Sequence, residues 1–537
     1  MKDRIVDDDK LSQGQRSAQV EISWVIGLLV AALVLFVTNL GTLPLRDWDE
    51  GTVAQVAKEI AFSDWSDRRW LFPTLYGEPY LNKPPLMHWL IALTYHFGGV
   101  NEWTTRLPGA ILSAISVPLL YSVGREVFLS RTPCIYSALV YLTFLPVVRH
   151  GRLAMLDGAV LCFFMLLIWS VLRARRDLRY GLVTGIALGL ICLTKGMMGL
   201  ILGAIALLFI AWDTPRLLAS LYLWLGLGLG CLPVAGWYAA QWYHYRELFW
   251  EVGVLGQSFS RIWTPVEQHH GPPWYYLLEI LKYGWPCLLF IPQGIQLAWS
   301  NCNLGWAKLA LVWSSVYLVA ISMMATKLPW YVLPIYPALS LIVGAQLYET
   351  ETHWSSNYRY LKTWTIGLTI LGLGSAVAGV YFSGFWSQAD LGLVLILVAF
   401  SLTLLVGAIL LAQRDRQFIV ILLWGTYVSL FLFIKSPHWI WELNEAFPVK
   451  PVATMVKAFT PEGETIYTSF EYSRPSLNFY SDRQVMAVSL DEIRQHWQER
   501  EPVYLLLEPK AIATLKLPHA QRLDTTGGWT LLTRQLP

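Results

Sequence analysis

Residues 22–41 read ISWVIGLLVAALVLFVTNLG, a run of 20 residues without a charged side chain. About 20 apolar residues in a helix cross the roughly 30 Å hydrocarbon core of a bilayer, so this run predicts a transmembrane helix. It is too long for the apolar part of a signal peptide and lacks a small-residue cleavage site, so we expect it to remain as an anchor. Three carboxylates, those of Asp47, Asp49 and Glu50, follow it directly.

Apolar runs of similar length recur along the whole chain. Of the 537 residues, 55% are hydrophobic and only 14% are charged, whereas soluble domains carry about 25% charged residues. A polytopic membrane protein with about 13 spans is therefore predicted. The predicted spans are 22–41, 107–128, 132–149, 154–172, 180–194, 197–212, 217–240, 275–298, 307–325, 330–348, 363–383, 390–412 and 417–435.

The connecting loops differ in charge from one membrane face to the other. Arginine and lysine collect in loops that this topology places on one face, and such loops are cytoplasmic by the positive-inside rule. We therefore expect a cytoplasmic N-terminus and a C-terminal segment outside, in the periplasm of a bacterial-type inner membrane. The basic residues concerned are Arg125, Arg131, Arg173, Arg175, Arg176, Arg179, Arg216, Lys308, Arg359, Lys362, Arg414 and Arg416.

Residues 84–98 form an apolar segment that is too short to span. Their mixed content suits a helix that lies in the membrane interface, within an outer loop over residues 42–106. After residue 435 the composition changes, and short β-like runs alternate with helical patterns. We predict an all-α membrane domain over 1–435 and a small soluble α/β domain over 436–537.

Composition also excludes several functions. A net charge of +3 without a basic stripe gives no support for nucleic-acid binding. The six cysteines show no CxxC spacing, which argues against a zinc finger or a disulfide framework.

Ionisable residues far apart in the sequence converge on the outer face. A carboxylate there could take a proton from an acceptor hydroxyl while lysines neutralise charge on a departing phosphate. This combination predicts an in-line displacement with a phosphate leaving group, which a lipid-linked sugar supplies. The alternatives are a solvated acidic loop, an ion pair of Asp157 with Arg149 or Arg152, and lysines that snorkel to the interface. The residues are Asp47, Asp49, Glu50, Lys83, Asp157, Lys195 and Lys327.

Residues 267–270 read Glu-Gln-His-His, a candidate for metal binding through the imidazoles of His269 and His270 with Glu267 nearby. Adjacent histidines cannot easily both reach one ion, so a hydrogen-bonding role for His269 is an equal alternative.

Blocks of sequence spread from 47 to 337 together resemble the C-fold membrane glycosyltransferases, above all the lipid A aminoarabinose transferases and the dolichyl-phosphate-mannose protein mannosyltransferases. Each block is weak alone, but their order and spacing are specific. They are Trp48-Asp49-Glu50 with Ala57-Lys58-Glu59, Tyr80-Leu81-Asn82-Lys83-Pro84, Leu156-Asp157, Thr194-Lys195-Gly196, Gln268-His269 with Pro273-Trp274-Tyr275-Tyr276, and Lys327-Leu328-Pro329 with Tyr331.

The resemblance implies 13 helices, an interfacial helix and a periplasmic C-terminal domain. It also implies roles for single residues. Asp49 is the expected catalytic carboxylate and Asp157 the second one. The expected contacts of the donor phosphate are Lys83, Tyr80 and Tyr331, joined by Lys195 and Lys327 from the charge argument, and the expected cavity residues are Glu50, Asn82 and His269.

Two departures from the aminoarabinose transferases limit the assignment. They read Asp-Glu-Thr-Arg where this chain has Asp49-Glu50-Gly51-Thr52, so an arginine is missing. They carry a glutamate of their metal site where Asn82 stands. We therefore expect no required cofactor, and the replacement argues against a divalent cation, for which His269 is a possible ligand.

The leading hypothesis is an integral membrane glycosyltransferase that moves a sugar from a polyprenyl-monophosphate donor to a lipid, glycan or protein acceptor, with inversion. The alternative is a polytopic transporter or flippase. Transporters place charges near the midplane of repeated halves, whereas these charges lie at helix ends and no repeat is evident.

Overall fold

The computed structural model describes residues 2–265, 269–353, 358–385, 388–441, 448–499 and 502–534. The chain forms two compact units. The first, called the membrane unit here, contains Met1–Asn39, Leu81–Met87 and Gly109–Trp439. The second, called the outer unit, contains Leu40–Tyr80, His88–Pro108 and Ile440–Pro537.

Helices dominate the chain up to residue 435. They are α1 (Lys2–Val37), α2 (Thr52–Ala61), α3 (Leu86–Gly98), α4 (Glu102–Val127), α5 (Thr132–Thr143), α6 (Leu145–Arg152), α7 (Asp157–Ala174), α8 (Tyr180–Lys195), α9 (Met198–Asp213), α10 (Leu221–Tyr245), α11 (Glu247–Phe249), α12 (Ser260–Trp263), α13 (Tyr275–Tyr283), α14 (Ile291–Ser300), α15 (Gly305–Met323), α16 (Tyr336–Thr352), α17 (Tyr358–Val380), α18 (Leu391–Ala412) and α19 (Gln417–Lys435). Three π-helical segments cover Asp47–Gly51, Trp250–Phe259 and Tyr381–Phe385.

Among the described residues, nine helices are long and apolar enough to cross a membrane. The bent pair α5 and α6 brings this number to ten if the two form one span. Three shorter apolar helices cover Tyr180–Lys195, Met198–Asp213 and Cys287–Ser300. The chain is therefore a multi-pass membrane protein, as predicted. The short apolar segment at 84–98 is also a helix, α3.

Two predicted spans are not single straight helices. The segment at 132–149 bends by 62° between α5 and α6. Pro146 lies in the first turn of α6, where its missing N–H breaks no helical bond. The segment at 275–298 is interrupted after α13, and Gly284 and Pro286 lie in the break.

Glycines bring α8 and α10 into close contact. Gly185 and Gly189 of α8 face Gly226 and Gly230 of α10, and a Cβ at Gly185 would lie 1.9 Å from the carbonyl carbon of Gly226. Small residues four apart allow helix backbones to approach this closely in membranes. This packing fixes α8, which ends at Lys195.

The outer unit contains a five-stranded sheet. Its strands are β3 (Thr465–Thr468), β4 (Gln484–Ala487), β5 (Tyr504–Leu507), β6 (Ala520–Thr526) and β7 (Trp529–Arg534), after the two-residue strands β1 (Thr74–Leu75) and β2 (Glu78–Pro79). The strand order is β4-β3-β5-β7-β6, with β3 parallel to β4 and β5 and with β7 antiparallel to its neighbours. The helices are α20 (Val449–Phe459), α21 (Pro475–Ser481), α22 (Leu490–Glu499) and α23 (Pro509–Leu515). The predicted small α/β domain is present.

The outer unit also includes most of the loop that follows the first span. Asp47 accepts hydrogen bonds from the backbone N and Oγ of Ser476, at 3.1 and 2.7 Å, and pairs with Arg474 at 3.1 Å. A Cβ at Gly51 would lie 2.7 Å from the backbone N of Ser476. Gly51 therefore allows α21 to pack against the π-helical segment Asp47–Gly51. Residues 42–80 thus belong to a compact unit with the C-terminal residues, whereas the predicted domain boundary separated them.

Candidate active site

A cavity of about 320 Å³ lies within the membrane unit. Three cationic side chains line it, those of Lys83, Lys195 and Arg261, together with Asn82, Gln257 and Tyr331. No carboxylate is among its lining residues in the described part of the chain. The remaining wall is mainly apolar and includes Leu81, Pro84, Met197, Met198, Leu200, Ile201, Trp237, Phe249 and Ile262.

Two of the cations share an uncharged acceptor. Lys83 Nζ donates to Oε1 of Gln257 at 3.2 Å, and Arg261 Nη2 donates to the same oxygen at 3.1 Å. Arg261 Nη1 donates to the hydroxyl of Tyr331 at 3.1 Å. These contacts bring together, at the cavity wall, a cation from residues 42–106 and a cation from residues 243–274.

The third cation is paired with a carboxylate. Lys195 Nζ donates to Asp157 Oδ1 at 2.6 Å, and Asp157 is buried at the start of α7. The ammonium of Lys195 also lies 5.3 Å from the ring centroid of Tyr331. The chain turns sharply after Lys195 at Gly196, whose φ of +55° favours glycine. Asp157 thus pairs with Lys195, not with Arg149 or Arg152.

Burial and, after it, the nearby cations Arg261 and Lys195 together lower the pKa of Lys83 to about 7, while Asp157 acts in the opposite direction. A lysine in such surroundings changes its charge near neutral pH. A bound anion would favour its charged form.

Sequence reasoning missed Arg261 and Gln257. Arg261 lies on α12, which is held by backbone hydrogen bonds from Thr326 N to Arg261 O and from Ala325 N to Ile262 O, at 3.1 and 2.9 Å. One signal was available. The predicted topology puts residues 243–274 on the face where arginine is uncommon, so an arginine in that loop marks a candidate for function.

Two predicted site residues of the membrane unit have other contacts. Lys327 Nζ donates to the carbonyls of Ile321 and Ser322 at 3.1 and 2.6 Å, which lie in the last turn of α15. Lysine stabilises a helix C-terminus in this way, so this contact accounts for the buried ammonium. His269 is exposed, and its backbone oxygen accepts a hydrogen bond from Lys327 N at 2.9 Å.

Asp49 and Tyr80 belong to the outer unit. Asp49 pairs with Arg46 at 3.0 Å, and 26% of its side chain is exposed. Tyr80 is buried, and its ring packs edge-on against His88 with 5.3 Å between centroids. These contacts of Asp49 and Tyr80 lie within the outer unit. The roles predicted for the two residues, in catalysis and in phosphate binding, stay predictions.

Glu50 belongs to the outer unit, and its predicted place in the cavity stays a prediction. It is fully buried and forms a bidentate pair with Arg106, at 2.8 Å to Nε and 2.7 Å to Nη2. Arg106 also donates to the carbonyls of Leu40, Leu43 and Pro44 at 2.8–2.9 Å. A buried carboxylate needs such a partner, and this pair fixes the start of the outer loop.

The described residues contain no cluster of three or more His, Cys, Asp or Glu side chains that could hold a metal ion. Glu267 and Gln268 lie outside the described residues. Asn82 lines the cavity beside Lys83.

A family model described as "Dolichyl-phosphate-mannose-protein mannosyltransferase" matches residues 82–238. The undecaprenyl phosphate-alpha-4-amino-4-deoxy-L-arabinose arabinosyl transferase 1 of Pseudomonas fluorescens is 27% identical over 67% of this chain and 66% of its own. The corresponding transferase of Pseudomonas savastanoi is 29% identical over 60% of this chain and 61% of its own. The match thus spans just under two thirds of both transferases. An uncharacterized protein of Aquifex aeolicus is 24% identical over 86% of this chain and 87% of its own.

The fold has a solved counterpart. The crystal structure of ArnT from Cupriavidus metallidurans bound to undecaprenyl phosphate superposes with a TM-score of 0.77 over 95% of this chain and 98% of that one, at 17% identity. The apo structure of the same protein gives 0.76. Together, the fold and the sequence similarity confirm the predicted resemblance of this chain to the C-fold membrane glycosyltransferases.

Proposed function

We propose that the protein is an integral membrane glycosyltransferase that takes its sugar from a polyprenyl-monophosphate donor. The observation that carries the proposal is the cavity of the membrane unit, in which Lys83, Lys195 and Arg261 converge beside an apolar wall. A polyprenyl phosphate has the matching chemistry, because an anionic head group is joined to a long hydrocarbon chain.

Charge at the cavity favours the reaction as well as binding. Asp157 offsets Lys195, while Lys83 and Arg261 share an uncharged acceptor. A sugar-linked phosphate diester carries one negative charge, and the released phosphate carries about 1.5 to 2. Within the described residues Lys83 and Arg261 have no carboxylate partner, so they bind the leaving phosphate more strongly than the donor, which is how fixed charges accelerate a reaction.

The proposed step is a single displacement at the anomeric carbon. A hydroxyl of the acceptor loses its proton to a carboxylate, and its oxygen forms the new bond to the sugar. The bond from the anomeric carbon to the phosphate oxygen breaks, and its electron pair stays on the phosphate beside Lys83 and Arg261. One displacement inverts the anomeric configuration.

We assign the base to Asp49 and a positioning role to Asp157. The resemblance implies that Asp49 is the catalytic carboxylate, and 26% of its side chain is exposed. Asp157 is 5% exposed in its side chain and already holds Lys195.

The relatives named above bear the name of an undecaprenyl-phosphate aminoarabinose donor. For this chain we propose the donor class only, with a lipid, glycan or protein as acceptor, because Gly51-Thr52 and Asn82 depart from those transferases. We propose that no metal cofactor is required.

We further propose 13 spans in a bacterial-type inner membrane, with a cytoplasmic N-terminus and a periplasmic domain over 436–537. The nine long apolar helices, the bent pair and the three shorter apolar helices support this number. The helix α3 is proposed to lie in the interface.

Binding of undecaprenyl phosphate to purified protein tests the proposal. Lys83→Ala is expected to weaken binding by about 1.5–3 kcal/mol, the range for a hydrogen bond to a charged group. Lys308→Ala is the matched control, since that lysine pairs with Asp213 at 3.4 Å and does not line the cavity. Equal binding by wild type and both variants would return Lys83 to a structural role and remove the proposed function.

A further inference from the structure

Gln257 lies between two cations of the phosphate-binding cavity. Its Oε1 accepts from Lys83 Nζ at 3.2 Å and from Arg261 Nη2 at 3.1 Å. It is carried by the π-helical segment Trp250–Phe259, and such segments are frequent at functional sites. Two donors distant in sequence thus meet at one oxygen that the proposed chemistry does not use.

Lys83 and Arg261 donate to an uncharged amide oxygen, whereas Lys195 donates to a carboxylate. Asp157 neutralises Lys195 at 2.6 Å, whereas an amide oxygen attracts two cations without cancelling either charge. Lys83 and Arg261 repel one another, and their shared acceptor offsets that repulsion.

The cations retain donors for a ligand. An ammonium has three N–H donors and a guanidinium has five. Gln257 receives one bond from each side chain, and Tyr331 receives one from Arg261. Phosphate oxygens can therefore bind both cations while Gln257 keeps its place.

We propose that Gln257 is a positioning residue that holds Lys83 and Arg261 together through an uncharged acceptor, which cancels none of their positive charge and leaves it for the lipid phosphate. This inference rests on the proposed function. A carboxylate at position 257 would accept the same two hydrogen bonds and cancel one positive charge, whereas a methionine would fill similar space without accepting them.

Gln257→Glu is the decisive variant because it separates geometry from charge. If Gln257 served packing alone, the glutamate would replace it without loss. We expect instead that Gln257→Glu weakens the binding of undecaprenyl phosphate more than about tenfold, since a fixed negative charge then faces the phosphate at close range. Gln257→Met is expected to weaken binding a few-fold, and it keeps the proposal testable if Gln257→Glu does not fold.

The dependence of binding on pH gives a second measurement. Lys83 is faced by Arg261 of α12, Lys195 of α8 and Asp157 of α7, and with burial they set its pKa at about 7. Wild-type affinity should therefore fall as the pH rises through this value and Lys83 loses its proton. A carboxylate at position 257 raises the pKa of Lys83, so in Gln257→Glu the fall should occur at higher pH. Ionisation of the phosphate itself affects all variants alike.

The binding of undecaprenyl phosphate by purified wild type, Gln257→Glu, Gln257→Met, Lys83→Ala and Lys308→Ala should be measured between about pH 6 and 9, with the unfolding temperature of each. Loss of binding in Lys83→Ala together with wild-type binding and pH profile in Gln257→Glu would overturn this inference alone. Wild-type binding by Gln257→Met would overturn the positioning role. Unchanged binding in Lys83→Ala would instead overturn the proposed function.

Discussion

For the buried charged residues of this protein, the sequence and the structure give different information. Carboxylates and lysines within apolar sequence are costly to bury, so the sequence alone marks them as paired or functional. Their partners lie far away along the chain, as Glu50 with Arg106 and Asp157 with Lys195 show. The sequence could therefore predict that these residues matter, but not which of them face a cavity and which fix the backbone.

The two candidate carboxylates are expected to behave differently when each is changed to an amide. Asp49→Asn should lower the rate of polyprenyl-phosphate release about 10²–10⁴-fold, the usual contribution of a general base, with little change in undecaprenyl-phosphate binding. Asp157→Asn should strengthen that binding, because the positive charge of Lys195 is then no longer offset by a carboxylate at 2.6 Å. Steady-state rates and binding of both variants, measured side by side, check this assignment.

A near-normal rate in Asp49→Asn, with an inactive Asp157→Asn that still binds the lipid phosphate, would transfer the base to Asp157. Lys308→Ala on α15 is the control in both assays.

The helices follow the apolar pattern of the sequence closely. The exceptions are the two segments in which a predicted span bends or is interrupted. Periodicity and length predicted α7, α8 and α19 to within a few residues, because burial in lipid or protein demands continuous apolar helices. Proline and glycine within the segments 132–149 and 275–298 were the available signals for the bend and the interruption. The close approach of Gly51 to α21 had no local signal, because it depends on a contact across more than four hundred residues of sequence.

The π-helical segment Asp47–Gly51 is expected to depend on the buried pair of Glu50 and Arg106. Arg106→Met leaves the carboxylate of Glu50 buried without its partner, which typically costs about 3–5 kcal/mol. The free energy of unfolding in detergent, or the unfolding temperature, measures this loss. Arg176→Met is the control, since its side chain is 69% exposed and Glu126 keeps Arg173 as a partner at 3.0 Å.

A salt bridge made by an exposed arginine contributes about 0–1 kcal/mol. Arg176→Met should therefore unfold close to the wild type. If Arg106→Met unfolded like Arg176→Met, the bidentate pair would not be what holds this segment.

At the scale of the whole molecule, the sequence predicted a multi-pass protein with a small C-terminal α/β domain, and both are present. The assignment of residues 42–80 to the same compact unit as the C-terminal domain was not predicted, because hydropathy describes spans and not contacts between loops. The predicted orientation of the chain in the membrane rests on the distribution of basic residues among the loops. It does not depend on how the helices pack.

The orientation can be tested with single cysteines in a variant whose six natural cysteines are replaced. Exposed positions suit the experiment, so we choose His270→Cys and Lys510→Cys for the outer face and Asp177→Cys for the cytoplasmic face. An impermeant maleimide added to intact spheroplasts should label positions 270 and 510, and it should label position 177 only after permeabilisation. Labelling of position 177 in intact spheroplasts would reverse the topology and place the cationic cavity on the cytoplasmic side, where a periplasmic transfer of sugar could not occur.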